Sequence, residues 1–371
     1  MVGAVVVVFM HNIPYKWFQV FPVFLLPLSV VLLALVMMME RINGAARWMT
    51  FMGVQFQPSE VAKMAVIIVT AFILSKGQDE DGASPKAFKR IMIITGVICL
   101  LIAPENLSTA ALLFGVVYLM MFIGRVAMKK LLILAGGLAG VAIIGVTFLV
   151  LTKNSDLPFL HRFDTWRARI EKFTNDNEVP AAKFDIDKDA QIAHARIAVA
   201  TSHVVGKGPG NSVQRDFLSQ AFSDFIFAII IEELGLIGGA FVVFLYVCLL
   251  IRVGRIAKKC ERTFPAFLII GIALLLVSQA IFNMMVAVGL APVTGQPLPL
   301  ISKGGTSTLI NCAYIGMILS VSRYTARLEE QKEHDALIPM QVEVPAEETN
   351  SDAQTAAEPT AKVLNSDAEF E

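Results

Sequence analysis

The sequence predicts an all-α, polytopic membrane protein, and three observations predict it. Hydrophobic residues fill 56% of the 371 positions and charged residues only 17%, where a soluble domain carries roughly a quarter charged. Apolar runs reach the roughly 20 residues needed to cross a bilayer, and they recur from end to end. Lys and Arg gather between alternate runs, as they do in cytoplasmic loops.

Taken in order, residues 1 to 11 are apolar but too short to cross. Spans are predicted at about 18 to 39, 58 to 76, 88 to 103, 107 to 124, 130 to 152, 224 to 252, 264 to 289 and 305 to 323. Basic loops hold Lys86, Lys89 and Arg90, then Arg125, Lys129 and Lys130, then Arg252, Arg255, Lys258, Lys259 and Arg262; Arg323 and Arg327 follow the last span. The alternation puts 40–57, 104–107, 153–223 and 290–304 outside and the C-terminus in the cytoplasm. Residues 1 to 11 would then start outside and run inward, so a preceding helix and part of the next are expected to be missing from this chain. A signal peptide is a poorer reading, because no basic stretch precedes the apolar run.

Two regions follow. Residues 1–327 form a membrane body that includes one large extracytoplasmic loop, 153–223, with helical pieces expected at about 162 to 173 and 188 to 204. Residues 328–371 carry twelve acids against Lys332 and Lys362, leaving 29 basic and 19 acidic residues in the body. This tail is rich in Glu, Ala, Thr and Pro and lacks helical periodicity, so it is read as a disordered cytoplasmic tail. Cys99, Cys248, Cys260 and Cys312 are scattered, with neither metal spacing nor a disulfide framework. No nucleic acid partner is expected.

Four constellations carry chemistry. The first is Asn43-Gly44-Ala45-Ala46-Arg47-Trp48, then Gln57-Pro58-Ser59-Glu60 and Lys63. Pro58 suits a first helical turn, with Gln57 or Ser59 to cap it. Glu60 and Lys63 share a helix face and can pair; the alternative is that Lys63 and Arg47 hold an anionic substrate group.

The second is Gly206-Lys207-Gly208-Pro209-Gly210-Asn211-Ser212, with Gln214. Its glycines let backbone N–H groups approach an anion. It lacks the G-x-x-x-x-G-K-S/T spacing of a nucleotide-binding loop, so NTPase activity is not expected, and a plain turn is the competing reading.

The third is Ser223-Asp224-Phe225-Ile226-Phe227, with Glu232 and Glu233 further along. Ionisable groups at membrane depth cost several kcal/mol on insertion scales, so they are functional candidates by default. Ser223 or Asp224 could also simply cap the helix. Glu232 lies about 12 Å deeper and about 80° around from Asp224, so it is expected to pair with a neighbouring helix. The fourth runs from Gly289 to Ser307 and holds Pro297, Ser302, Gly304 and Gly305. Its prolines and glycines rule out continuous helix, and its apolar residues suggest a re-entrant loop packed in protein beside Asp224.

Together these patterns resemble the SEDS family of cell-wall polymerases (shape, elongation, division and sporulation), the FtsW and RodA family. The resemblance covers about residues 40 to 323. The family's T/S-D-F-I-F motif with its essential acid is matched at Asp224. Its N-G-A-x-R-W and Q-P-S-E-x-x-K motifs are matched at Asn43 to Trp48 and Gln57 to Lys63. Its G-K-G-x-G-x-S and P-L-P-x-x-S-x-G-G motifs are matched at Gly206 to Ser212 and Pro297 to Gly305. The chain departs at Glu105-Asn106-Leu107-Ser108-Thr109, where the family has P-D-x-G-T, at Lys303, where a Tyr is usual, and at Ser202-His203, where a Gly pair is usual. The first family helix is also expected to be missing from this chain. The stretch Leu218 to Asp224 is closer to the division branch.

The resemblance implies a ten-helix fold, of which about eight full spans and an N-terminal partial helix are present here. It implies a peptidoglycan glycosyltransferase of the bacterial inner membrane that polymerises lipid II at the outer face, for septal synthesis in cell division. Asp224 would be the general base for the acceptor's C4 hydroxyl; partial desolvation at the membrane edge strengthens a carboxylate as a base. Arg47, Lys63 and Lys207 would stabilise the departing pyrophosphate, directly or through a divalent cation, Mg or Mn. Asp224 could instead hold that cation. Trp48, Gln57, Ser59, Glu60, Gly208, Gly210, Asn211, Ser212, Gln214, Ser302, Gly304 and Gly305 would line the substrate, with Ser223, Glu232, Glu233 and Pro297 in support. A class B penicillin-binding transpeptidase and other division proteins are the implied partners. The competing readings are a lipid II flippase and a division scaffold.

Overall fold

A computed structural model describes residues 1–38, 49–51, 54–79, 82–151, 189–218 and 221–342. Contacts divide the chain into two units, Met1–Arg327 and Leu328–Glu371. Among the described residues the fold is all-α, with ten helices. These are α1 (Val2–Asn12), α2 (Phe21–Met37), α3 (Pro58–Lys76), α4 (Pro85–Ile102), α5 (Leu107–Ile123), α6 (Met128–Leu151), α7 (Asp189–Ala200), α8 (Ile226–Lys259), α9 (Thr263–Ala287) and α10 (Gly305–Val342). Two short antiparallel ladders close turns: Met49–Phe51 with Val54–Phe56, and Gln78–Asp79 with Gly82–Ala83.

Each predicted span has its helix. Five of the helices are long and apolar enough to cross a membrane: α3, α6, α8, α9 and α10. The chain is a multi-pass membrane protein, and its surface agrees with that. Leu132, Ile133, Val141 and Ile144 of α6 and Phe241, Phe244 and Leu250 of α8 are exposed, an apolar area that water would not tolerate.

α3 is the centre. It begins at Pro58, whose missing N–H costs nothing at a helix start, and it is buried from Pro58 to Ala71 on nearly every side. A helix apolar all round belongs inside. It packs against α2, α4, α5 and α9. Close approach needs small residues: a Cβ on Gly271 of α9 would meet the Met120 sulfur at 2.7 Å and Ile67 at 3.0 Å. Around this axis lies the main apolar core, with Ile67, Leu113, Met121, Leu268 and Tyr314. A second cluster, with Ala195, Leu218, Phe225, Ile231 and Val286, joins α7 to the start of α8 and the end of α9.

α1 runs parallel to the first part of α10. Gly3 lies against Cys312 and Gly316 against Met10 and Val7. Ser320 donates to the Ile13 carbonyl at 2.5 Å and Arg323 to the Asn12 carbonyl at 3.0 Å.

Two sequence expectations change, and a third is met. Lys86, Lys89 and Arg90 lie in the first turns of α4 and not in a loop, because Ser84 caps that helix by accepting from the Ala87 N–H. The predicted helical piece at 188 to 204 is α7, and the piece at 162 to 173 falls outside the described residues. The helix of α10 continues past 328 to Val342. That stretch is rich in Glu, Gln, Lys and Leu, which are good helix formers; it has no apolar stripe to reveal a period.

Candidate active site

Asp224 sits half-buried in a turn just before α8. The fold grips its main chain. Asn283 Nδ2, from α9, donates to the Asp224 carbonyl at 2.8 Å. Ser302 Oγ donates to the Ser223 carbonyl at 2.6 Å, and the Lys303 N–H donates to the Phe222 carbonyl at 2.8 Å. Ser223 Oγ in turn donates to Asp224 Oδ1 at 3.0 Å. Three consecutive carbonyls, 222 to 224, are therefore held from outside their own element.

The holding segment is the non-helical stretch from Gly289 to Gly304. It packs inside protein as expected, with Gln296, Leu298 and Ser302 buried. Its freed backbone groups are satisfied by side chains, as a non-helical segment at membrane depth requires. Gln279 Nε2 donates to the Pro297 carbonyl at 3.1 Å, Asn283 Nδ2 to the Gln296 carbonyl at 2.8 Å, and Tyr246 to the Pro299 carbonyl. The Leu298 N–H donates to Ser302 Oγ at 2.7 Å. Gln296 Nε2 reaches Thr109 of α5 at 2.5 Å. Gly304 admits Ser307 closely, and Gly305 starts α10.

Thr109 and Asn106 belong to the stretch that departs from the family motif. Asn106 caps α5, accepting from the Thr109 N–H at 3.2 Å.

One turn into α3, Lys63 and Glu60 pair at 2.7 Å, one helical turn apart and both enclosed. Lys63 also donates to Gln279 at 3.2 Å. Gln279 thus joins the ion pair to the Pro297 segment. At the helix start Gln57 donates to Ser59 at 3.0 Å. An apolar groove between α2, α3 and α4 opens here, lined by Leu33, Val36, Pro58 and Leu101 among others.

The glycine motif has a different neighbour. α8 is broken at Gly235, with φ 72° and ψ −172°, a conformation that favours glycine. The break removes the helical bonds from 236 to 232 and from 237 to 233. Residues 203–208 replace them with four. The N–H groups of Lys207 and Gly208 donate to the carbonyls of Glu232 and Glu233, and those of Leu236 and Ile237 donate to His203 and Val204. Gly206, at φ 79°, lies so close that a Cβ would collide with the Glu233 carbonyl oxygen.

Inside this seam Glu232 is fully enclosed and saturated. Lys207 Nζ lies at 2.6 Å and Ser212 Oγ at 2.5 Å, with the N–H groups of Val213 and Gln214 at 3.2 and 3.3 Å. Glu232 pairs with the loop and not with a neighbouring helix, because the break brings the loop to it. Asn211 Nδ2 returns to the Lys207 carbonyl at 3.0 Å. Gln214 Oε1 contacts His194 of α7 at 2.6 Å. Gly208 and Gly210 complete the turn, and the Glu233 side chain is half-buried beside it.

The structure thus forms two groups from the predicted residues. Ser223, Asp224, Pro297 and Ser302 belong with Glu60 and Lys63 through Gln279 and Asn283. Lys207, Gly208, Asn211, Ser212 and Gln214 belong with Glu232. Arg47 and Trp48 lie outside the described residues. Sequence reasoning missed Gln279 and Asn283. Their signal was present: two amides four residues apart, on one face of an otherwise apolar span.

The sequence profile of the cell cycle protein family of FtsW, RodA and SpoVE matches residues 1–327. A probable peptidoglycan glycosyltransferase FtsW of Geobacter sp. (strain M18) is 34% identical over 282 residues, covering 76% of this chain and 72% of that one. The protein of the same name from Halomonas elongata is 32% identical over 339 residues, covering 89% and 81%. Among solved structures, a chain described under structural coordination of polymerization and crosslinking by a peptidoglycan synthase complex superposes with TM-score 0.68 at 25% identity, covering 87% of each chain. The rod shape determining protein RodA of Thermus thermophilus gives TM-score 0.60 at 23% identity, covering 87% of this chain and 84% of that one.

Proposed function

We propose, from the premise that this chain belongs to the cell cycle protein family of FtsW, RodA and SpoVE, that it joins lipid II molecules into glycan strands with Asp224 as the general base. It is a peptidoglycan glycosyltransferase, as its relatives are named. The active end faces outward across the bacterial inner membrane, and the C-terminus is cytoplasmic. The observation that carries the role of Asp224 is the grip on its turn. Asn283, Ser302 and the Lys303 N–H hold carbonyls 222 to 224 at 2.6 to 2.8 Å, and a base must be fixed within hydrogen-bond reach of its proton.

In this reading the acceptor's C4 hydroxyl gives its proton to Asp224 as its oxygen bonds to the donor's anomeric carbon. The bond from that carbon to the undecaprenyl pyrophosphate breaks, and the diphosphate leaves with the electron pair. Arg47 is the cation assigned to the leaving group. Lys63 and Lys207 act behind the site, since each already neutralises a carboxylate.

Among the described residues no three His, Cys, Asp or Glu side chains converge to hold a metal. In the alternative to the base role, Asp224 would instead hold a divalent cation such as Mg or Mn, which would neutralise the charge developing on the diphosphate. A class B penicillin-binding transpeptidase is the proposed partner, and septal synthesis the proposed role.

The test is polymerisation of labelled lipid II by the purified full chain with its transpeptidase, wild type beside Asp224→Ala. Long glycan from the wild type and none from a folded variant is expected. Translocation of lipid II without polymer would assign the chain to transport instead.

A further inference from the structure

At the end of the bundle away from Asp224, α3 finishes and α4 begins around a cavity of about 160 Å³. Phe72, Ile73 and Lys76 line it from α3, and Lys86, Ala87 and Arg90 from α4. The turn between the helices is fixed. The Ser84 N–H donates to the Gly77 carbonyl at 2.8 Å, Gln78 Nε2 to the Gly124 carbonyl at 2.8 Å, and the Ala83 N–H to the Arg125 carbonyl at 3.2 Å.

Lys76, Lys86 and Arg90 are exposed, and none takes part in an ion pair among the described residues. Lys76 Nζ rests 4.6 Å from the centre of the Phe72 ring, a cation–π contact that keeps the ammonium at the wall. The lining therefore combines three cations with the apolar side chains of Phe72, Ile73 and Ala87. Asp79-Glu80-Asp81 follow in sequence, so selectivity rests on the three cations that line the cavity and not on local net charge.

Beyond Arg90 the helix continues the pattern. Ile93, Val97 and Leu100 are 55%, 48% and 73% exposed, and their spacing puts them on the Arg90 face of α4. A basic pocket at the head of an apolar stripe has the outline of an anionic lipid.

We propose that this cavity binds the headgroup phosphate of an anionic phospholipid, of the phosphatidylglycerol or cardiolipin class, whose acyl chain lies along Ile93, Val97 and Leu100. Arg90 and the two lysines donate to the phosphate oxygens. A cavity of this size takes a glycerophosphate and not a disaccharide-peptide, so the occupant is a bulk lipid and not the glycosyl substrate.

The experiment is native mass spectrometry of the full chain in detergent, titrated separately with phosphatidylglycerol, cardiolipin and phosphatidylethanolamine. Wild type is expected to retain the two anionic lipids in preference. Each charge removed should weaken retention roughly fivefold, and the combined variant Lys76→Gln, Lys86→Gln, Arg90→Gln roughly a hundredfold. Equal retention of phosphatidylethanolamine, or an unchanged combined variant, overturns the proposal. So does displacement of the lipid by millimolar inorganic phosphate, which would make the site one for a free anion. If the combined variant does not fold, Arg90→Gln alone reads the single-charge loss, and Lys76→Arg with Lys86→Arg should retain the lipid.

Discussion

Glu232 and Asp224 lie eight residues apart, and the fold treats them in opposite ways. Glu232 is enclosed and its carboxylate accepts from four donors, one of them a lysine. Asp224 is half-buried, its Oδ1 accepts from Ser223 Oγ, and the protein also holds its main chain. A carboxylate saturated by donors is locked in one charge state, because protonating it would strand a lysine and several N–H groups. The grip on the Asp224 turn runs through main-chain carbonyls, so it does not depend on the charge of the carboxylate. The first arrangement suits architecture and the second suits proton transfer.

Four substitutions probe that difference. Asp224→Ala should cut polymerisation about 10²- to 10⁴-fold, the usual worth of a general base, while melting temperature stays within about 2 °C. Near wild-type glycan synthesis by the variant would falsify the distinction. Glu232→Ala should do the reverse. It leaves Lys207 without its partner, at a cost of about 3 kcal/mol, the low end for a broken buried pair, because the lysine keeps 30% exposure. Thermal unfolding in detergent reads the loss, and activity per folded molecule should hold.

Gly235→Ala attacks the same seam through the backbone. Its Cβ would collide with the Val204 carbonyl oxygen at a φ of 72°, for about 2 kcal/mol of strain; a melting curve unchanged from wild type would show that the break is tolerant. Asn283→Ala is the mildest. It frees two carbonyls for about 1 to 2 kcal/mol, expected as a several-fold fall in kcat with KM unchanged. A change in KM alone would move Asn283 from positioning to substrate contact.

Much of the fold was legible because membrane spans announce themselves by length and apolarity. The Glu60–Lys63 pair was also legible, since three residues on one helix set its geometry. The Lys207–Glu232 pair was not. Its partners are separated by a break that the sequence at Leu234-Gly235-Leu236 does not mark, so residues 224 to 252 read as one uninterrupted span. Gln279 and Asn283 escaped for another reason. A search for costly charges passes over neutral amides, yet these two carry the link between Lys63, the Pro297 segment and Asp224. The tail helix was hidden because a polar helix has no apolar period to find.

The seam at Gly235 also bears on how the protein is made. A broken span entering lipid with four bare backbone groups faces several kcal/mol for each. Synthesis from the N-terminus supplies residues 203–208 before residues 232–237 leave the ribosome, so the patch exists before the gap that it closes. The order of the two segments along the chain is thus part of the insertion pathway. A circular permutant that makes α8 first should integrate poorly, and full membrane integration of such a chain would show that order is immaterial.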